Sequence, residues 1–404
     1  MRRWPVADCA NITCAGCGLL CDDVTLEAVG EDVRLGPDCS LGAKWFSDRM
    51  RRPPTAAAAM IDGEPADLDS ALARAAGLLS GARRPLVHGF DGATVEDARA
   101  AVALADRLGA LVVTGPVAGA WPGAPAVPLR GASTATLGEI RDRSQVVVIW
   151  REDPLTSHPR LLERLGLRRG AGRTLVVVDD RDTATAQHAD VQLRWPPERD
   201  LEALSGLHVL HRGRELQPGG VTAECRALID RLSTVPHAAF VYGPGLAGGA
   251  GGQRRALALH ELVRALCHER HVVTLELPRA PGTRSADDVL AWQTGYAGDV
   301  DLAGGHPELL TAMPPLAVRE AVDVALRVES APADLPDGVR EIALGSLPAG
   351  AGVEVSIRTA AAGVEASGTA HRLDGVPLAL QAPRAGGRPT AAELLTRLLA
   401  EVRR

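Results

Sequence analysis

Hydrophobic residues along this chain switch repeatedly between two periods. Leu68, Leu72, Ala75, Ala76 and Leu79 recur at helical spacing, and Leu86-Val-His-Gly89 then reads as a short buried strand. The same change of period follows at once, with a helix predicted over 98–108 and a strand at Leu111-Val-Val-Thr114. Gln145-Val-Val-Val-Ile-Trp150 and Thr174-Leu-Val-Val-Val-Asp179 are further apolar runs, separated by an amphipathic stretch at 160–167. Ala238-Ala-Phe-Val-Tyr242 and His271-Val-Val-Thr-Leu-Glu276 flank a helical pattern over 253–267. Short β-branched strands alternating with helices predict an α/β protein with mostly parallel sheets, whose ligands sit at the carboxyl ends of the strands.

The two ends of the chain read differently. Residues 24–29 and 33–35 predict a hairpin, and Arg51-Arg-Pro-Pro54 reads as a linker. Val318, Ala321, Val322 and Ala325 fall on one helical face ahead of Ile342-Ala-Leu344, and residues 353–357 alternate like a half-buried strand. A closing amphipathic helix at 390–402 opens with a capping box, Thr390 with Glu393.

Composition narrows the function classes. Of 404 residues 46% are hydrophobic and 23% charged, the balance of an ordinary globular chain with room for two or three domains. A net charge of −6 gives no pull toward nucleic acid or membrane, and 3% aromatics argues against stacking platforms for single strands. Lys44 is the single lysine against 43 arginines, a skew that reflects genome base composition rather than binding. No apolar run has the length of a membrane span, and the first residues lack the apolar stretch of a signal peptide, so a cytoplasmic, soluble protein is expected.

Cysteine is the exception to this blandness. Five of the seven lie in the first tenth of the chain, and Cys14, Cys17, Cys21 and Cys39 have the spacing C-x2-C-x3-C-x17-C, with Cys9 apart. Three thiolates on one glycine-bearing loop reach three corners of an iron–sulfur cube, and a later loop supplies the fourth. Zinc sites more often use two separated C-x2-C pairs, so the spacing favours [4Fe–4S] over zinc; buried structural cysteines or a disulfide pair are the plainer reading. Lys44 is placed either to offset thiolate charge or as a solvated surface residue. Cys225 and Cys267 lie in helical patterns and read as core. Two glycine-rich loops follow strands, Gly89-Phe-Asp-Gly92 and Gly243-Pro-Gly245-Leu-Ala-Gly248. The second suits an anion at a helix start, but it matches neither a P-loop nor a clean G-x-G-x-x-G, and an ordinary strand-to-helix turn is the alternative.

The cysteine loop with Cys21-Asp-Asp resembles the entry of the molybdopterin oxidoreductase superfamily, and more closely the B subunit of formylmethanofuran dehydrogenase. Four further blocks carry the resemblance in order. They are Trp150 with Ser157-His-Pro-Arg160; Val177-Val-Asp179 with Arg181, Thr185-Ala186, Ala189-Asp190 and Pro197-x-x-Asp200; Ala291-Trp-Gln-Thr-Gly-Tyr296; and Gly363-Val-Glu-Ala-Ser-Gly-Thr369 with His371-Arg-Leu-Asp-Gly-Val376. The resemblance implies a multi-domain molybdopterin-oxidoreductase-like α/β fold: a small four-cysteine metal-binding unit at 1–53, a discontinuous α/β domain at 54–120 plus 286–404, and an inserted Rossmann-like domain at 121–285. It also implies a [4Fe–4S] cluster and a molybdenum or tungsten bis-pterin, the metal held by a cysteine in a Thr-Cys-Glu run that opens a helix. In this chain the run is Thr94-Val95-Glu96, and valine has no lone pair to give.

That departure resembles the B subunit of the bacterial formyltransferase/hydrolase complex of methylotrophs. The resemblance implies formyl transfer from formyl-tetrahydromethanopterin to a methanofuran-type carrier, then hydrolysis to formate. Both reactions belong to partners: an amidohydrolase-type A subunit and a formyltransferase subunit, assembled with a C subunit. The chain has no H-x-H or H-E-x-x-H pair and no G-x-S-x-G elbow, so no catalytic residue is expected in it. No molybdenum or tungsten pterin is expected either. His158, Arg160, Gly243 and Gly245 are candidates for a vestigial pterin cleft, and Arg279 or Arg284 for the surroundings of the lost metal; each also reads as scaffold, as do Asp179 and Asp374. Without a redox partner, structural zinc stands level with [4Fe–4S] at the four cysteines. The alternative is a redox-active formylmethanofuran dehydrogenase B subunit.

Overall fold

The computed structural model describes residues 9–29, 32–50, 58–114, 126–167, 172–278, 280–310, 321–384 and 386–403. The chain divides into two compact units, Met1–Gly119 with Ala280–Arg404, and Ala120–Arg279.

The first unit opens with a three-stranded antiparallel sheet, β1 (Cys9–Cys14), β2 (Cys21–Val29) and β3 (Asp32–Gly36), whose β2–β3 pair is the expected hairpin. Helix α1 (Ser40–Met50) follows and buries Phe46 and Met50. Then come β4 (Ala59–Ile61), β5 (Glu64–Ala66), α2 (Leu68–Gly81), β6 (Pro85–Gly89), α3 (Val95–Leu108) and β7 (Leu111–Val113). The apolar face of α2 is Leu72, Ala75, Ala76 and Leu79, all buried, and Asp67 caps it by accepting from the Ser70 N–H at 2.8 Å. Helix α3 starts on a Thr94–Asp97 capping box and stops at Gly109, whose φ of 63° is the left-handed conformation that glycine adopts without strain.

The second unit runs α4 (Ala126–Arg130), α5 (Leu137–Arg143), β8 (Val146–Trp150), α6 (Pro154–Ser157), α7 (Leu161–Arg164), β9 (Thr174–Val178), α8 (Ala184–His188) and β10 (Val191–Leu193). It continues with α9 (Asp200–His211), α10 (Thr222–Ser233), β11 (His237–Tyr242), α11 (Pro244–Ala247), α12 (Gly252–Leu266) and β12 (His271–Glu276). The five strands are all parallel in the order β10-β9-β8-β11-β12, so the winding reverses between β8 and β11. Every residue of β8 and β11 is buried, which is why these strands read as unbroken apolar runs. Cys225 is buried on α10 as expected. Cys267 is not a core residue: α12 ends at Leu266, and the thiol just past it is exposed and donates to the Val272 carbonyl at 3.1 Å.

The chain then returns to the first unit with α13 (Thr283–Thr294), β13 (Val300–Asp301), β14 (Glu308–Leu309), β15 (Val324–Val328), β16 (Arg340–Gly345), β17 (Val355–Arg358), β18 (Gly368–His371), β19 (Pro377–Leu380) and α14 (Ala391–Glu401). A nine-stranded sheet has the order β14-β13-β7-β6-β15-β16-β17-β4-β5, parallel from β7 to β17 and antiparallel at its margins. The helical reading through Ala321, Val322 and Ala325 is corrected here, while Val318 lies outside the described residues. Ala325 sits inside strand β15, paired with Leu86 on one side and Glu341 on the other. A fully buried parallel strand needs apolar side chains on both faces, and a run of that kind satisfies helical spacing by accident.

Helix α14 carries the expected Thr390–Glu393 capping box and buries Leu394, Leu395 and Leu398. One carboxylate serves two helices. Asp97 caps α3 through Oδ2 and accepts the Ala392 N–H of α14 through Oδ1 at 2.7 Å. Among the described residues no helix is long and apolar enough to cross a membrane.

Candidate metal-binding site and ligand crevices

The four expected cysteines come together at the start of the first unit. Strand β1 ends at Cys14 and β2 begins at Cys21, paired directly across the sheet, and the loop between them carries Cys17. Cys39 immediately precedes α1. A methyl group at Gly42 would lie 3.2 Å from the Cys14 sulfur and 3.6 Å from the Cys39 sulfur, so glycine there keeps space beside both. The Gly42 N–H also donates to Cys39 Sγ at 3.4 Å. Burial pushes the Cys17 thiol up to about 12, and the charges of Cys14, Cys21 and Cys39 add to that rise against the Leu19 amide. No disulfide joins any cysteine of the chain. A thiol raised in this way, as Cys17 is, keeps its proton until a bound cation displaces it, so loading a metal at this site releases protons.

Lys44 takes the plainer of its two roles. Its ammonium pairs with Asp48 at 2.6 Å, one turn along α1, and its side chain is 75% exposed. The cation near the thiols is Arg49, which lies 4.3 Å over the Trp45 ring and feels the charges of Glu329, Asp48 and Cys14. The i, i+4 spacing of Trp45 and Arg49 was visible in the sequence; the direction of that helix face was not.

The first unit has its reversal of strand order between β6 and β15, the place where an open α/β sheet takes a ligand. Two loops close over it. The Gly92 N–H donates to the Glu329 carbonyl at 2.8 Å, and Ser330 Oγ donates to Asp91 at 2.6 Å. Val95 opens α3 at this point and is 8% exposed as a residue. Glu329 holds the other side in a left-handed backbone conformation, φ 47°. Its carboxylate accepts from Thr359 Oγ1 and, at 3.0 Å, from the Ser346 N–H. Burial, with Asp97 adding to it, pushes this carboxyl up to about 7. The space left, lined by Ala15, Leu20, Trp45, Arg49, Gly92 and Ser346 among others, is a cavity of ≈ 20 Å³. That is room for about one water, far below the roughly 300–1,000 Å³ of a small-molecule pocket. Arg284 donates to Asp288 at 3.0 Å, and the same carboxylate meets His371 Nδ1 at 2.6 Å. Arg279 lies outside the described residues.

The second unit's reversal, between β8 and β11, is where Gly243 and Gly245 sit. A methyl at Gly245 would lie 1.9 Å from the Arg151 carbonyl oxygen, so only glycine fits. The Gly245 N–H, which the sequence offers to an incoming anion, donates instead to Glu152 Oε1 at 2.7 Å. A methyl at Gly243 would meet the same carboxylate at 2.9 Å. Burial pushes Glu152 up to about 7 against the pull of that amide and of Arg181. The crevice is filled from within the chain.

The remaining candidates are engaged locally. Burial pushes His158 down to about 4, and its Nδ1 lies 2.9 Å from Ser157 Oγ. Arg160 grips Glu163 through Nε at 3.0 Å and Nη2 at 2.7 Å. Asp179 binds Arg181 at 2.8 Å, and Asp374 binds Arg372 at 2.7 Å. The densest network centres on Asp200, which accepts from Trp150 Nε1 at 3.0 Å, Trp195 Nε1 at 2.9 Å and Arg151 Nε at 3.0 Å. The structure therefore brings the four cysteines together, whereas His158 and Arg160 are tied into the α6–α7 turn. Glu152 and Glu329 went unread in the sequence, since nothing local distinguishes a carboxylate that will be enclosed.

Comparison with known proteins follows the same lines. No family model matches the chain. It is 30% identical to the B subunit of the tungsten-containing formylmethanofuran dehydrogenase 2 of Methanocaldococcus jannaschii, over 92% of each chain. It is 28% identical to the B subunit of the Fhc formyltransferase/hydrolase complex of Methylorubrum extorquens, over 69% of this chain and 76% of that one. The crystal structure of that complex with methylofuran matches with a TM-score of 0.70 at 26% identity, covering 85% of this chain and 98% of the matched chain. Acetylene hydratase from Pelobacter acetylenicus shares the fold at a TM-score of 0.50 and 10% identity, covering 97% of this chain and 70% of that chain. The architecture is accordingly the molybdopterin-oxidoreductase-like α/β fold.

Proposed function

The chain belongs to the family of formylmethanofuran dehydrogenase B subunits, and from that premise we propose that it is a non-redox component of a formyltransferase/hydrolase complex in one-carbon metabolism. In this reading the chain is a scaffold. An amidohydrolase-type A subunit docks on it, and a formyltransferase subunit together with a C subunit completes the complex. Those partners transfer a formyl group to a methanofuran-type carrier and hydrolyse it to formate.

One observation carries the reading. Val95 opens α3 at the strand reversal of the first unit, where the family resemblance places the cysteine that holds molybdenum or tungsten, and its buried side chain offers no donor. The residues at the start of α3 do not fit a molybdenum or tungsten held there by a thiolate. The ≈ 20 Å³ cavity beside Gly92 and the Gly245 amide occupied by Glu152 support the same reading. Cys14, Cys17, Cys21 and Cys39 are the set that would hold a metal group, [4Fe–4S] by their spacing or zinc as a structural tie. Either group supplies folding energy to a small unit, because its binding exists only in the folded state.

The M. jannaschii relative, whose name declares tungsten, favours the redox alternative. The complex purified without oxygen separates the two. The expected result is no stoichiometric molybdenum or tungsten, no formate-dependent reduction of a viologen dye, and hydrolysis of the formylated carrier. Stoichiometric tungsten or molybdenum together with dye reduction overturns the proposal.

A further inference from the structure

We propose that Glu139, His237 and His271 form a divalent-cation site of the zinc type, at the amino-terminal edge of the second unit's sheet. The trio is separate from everything described above. Both ligand crevices lie at the carboxyl ends of strands, whereas His237 is the first residue of β11 and His271 the first of β12.

The fold sets two imidazoles side by side. Strands β11 and β12 are parallel and pair His237 with His271 in register, with ring centroids 4.7 Å apart. Helix α5 brings Glu139 to them, its position fixed by the cap in which Thr136 Oγ1 accepts the Glu139 N–H at 3.1 Å. Glu139 Oε1 lies 3.5 Å from His271 Nε2 and 3.8 Å from His237 Nε2, and the three donor atoms all lie within 4.8 Å of one another. A tetrahedral zinc with bonds of about 2.0–2.2 Å holds such donors roughly 3.3–3.6 Å apart, so the two Glu139 contacts are already near that spacing and loading the ion draws the two imidazoles inward from within 4.8 Å.

The second argument concerns the buried histidine. The side chain of His237 is 6% exposed, yet its Nε2 has no hydrogen-bond partner. Its other nitrogen, Nδ1, lies 2.9 Å from Ser144 Oγ. That arrangement leaves Nε2 pointing at the trio's centre, in the manner of a ligating imidazole oriented through its second nitrogen. A buried nitrogen without a partner costs free energy that a metal bond removes. Arg143 adds positive charge nearby, which the Glu139 carboxylate offsets at the ion. His271 is 58% exposed, which leaves one side of the ion open to water. Loaded, the ion would tie α5 to the starts of β11 and β12.

The test uses the full chain, reduced and stripped with a chelator, then titrated with zinc chloride against a chromophoric competitor. Wild type is expected to take up one equivalent more than H271A, and E139Q to bind that equivalent at least tenfold more weakly. Zinc X-ray absorption should lose nitrogen and oxygen scatterers, not sulfur, in H271A. Because His271 is largely exposed, metal-free H271A and E139Q should melt with wild type, and zinc should raise the melting temperature of wild type more than of either variant. Equal zinc stoichiometry and affinity in wild type and both variants overturns the site, as does a spectrum in wild type that contains sulfur alone.

Discussion

Replacing Glu329 with glutamine is the sharpest test of the energetics at the first unit's strand reversal. Its carboxyl titrates near 7 rather than near 4.5 because burial, with Asp97 nearby, disfavours the anion. A carboxyl raised in the folded state binds its proton more tightly there than in the unfolded chain. Its contribution is therefore fully present below about pH 4.5 and is lost as the pH rises toward 7. With those two limits the wild-type chain loses about 2 kcal/mol between pH 5.5 and pH 8 through this residue alone. Glutamine keeps the shape, still accepts the Ser346 N–H, and cannot ionise; Thr359 turns its hydroxyl to accept from the new amide. Urea denaturation of both proteins at a series of pH values gives the difference directly, because titrating groups that do not interact with Glu329 cancel. E329Q should gain on wild type by about 2 kcal/mol from pH 5.5 to pH 8, with most of the change below pH 7. A difference that stays flat across that range would refute the reasoning.

Two further substitutions probe the second unit. D200A removes the acceptor shared by Trp150, Trp195 and Arg151 and leaves a buried guanidinium without its main partner, which should cost about 3–5 kcal/mol in urea denaturation. G245A sets a methyl against the Arg151 carbonyl and should displace the loop, lowering the thermal midpoint and freeing Glu152; loss of the Glu152 contact is read from faster amide exchange at residue 245.

Period was the most legible feature of the sequence. The α2 face, the strands of the second unit and the Thr390–Glu393 cap follow from spacing and cap chemistry, which act within a few residues. The spacing of the four cysteines belongs to the same local class, and the structure gathers them. What failed depended on distant partners. Ala325 lies in a strand because β6 and β16 flank it, and Cys267 is exposed because its helix stops one residue earlier. The two glutamates with raised pKa were invisible for the same reason, since enclosure of a carboxylate is decided by loops far apart in sequence.

The neighbour relation of β6 and β15 has a consequence for synthesis. Residues 85–89 wait for residues 324–328 to complete the centre of the nine-stranded sheet, and the whole second unit is translated in between. At about 5–20 residues per second the ribosome needs roughly 10–50 s to cover that interval. Throughout it one edge of β6 has no hydrogen-bonding partner from the finished fold, although all five of its residues end up buried. The nascent chain thus carries an open apolar strand while all of the second unit has already been made, so the cysteine-bearing unit is the last whose sheet can be completed.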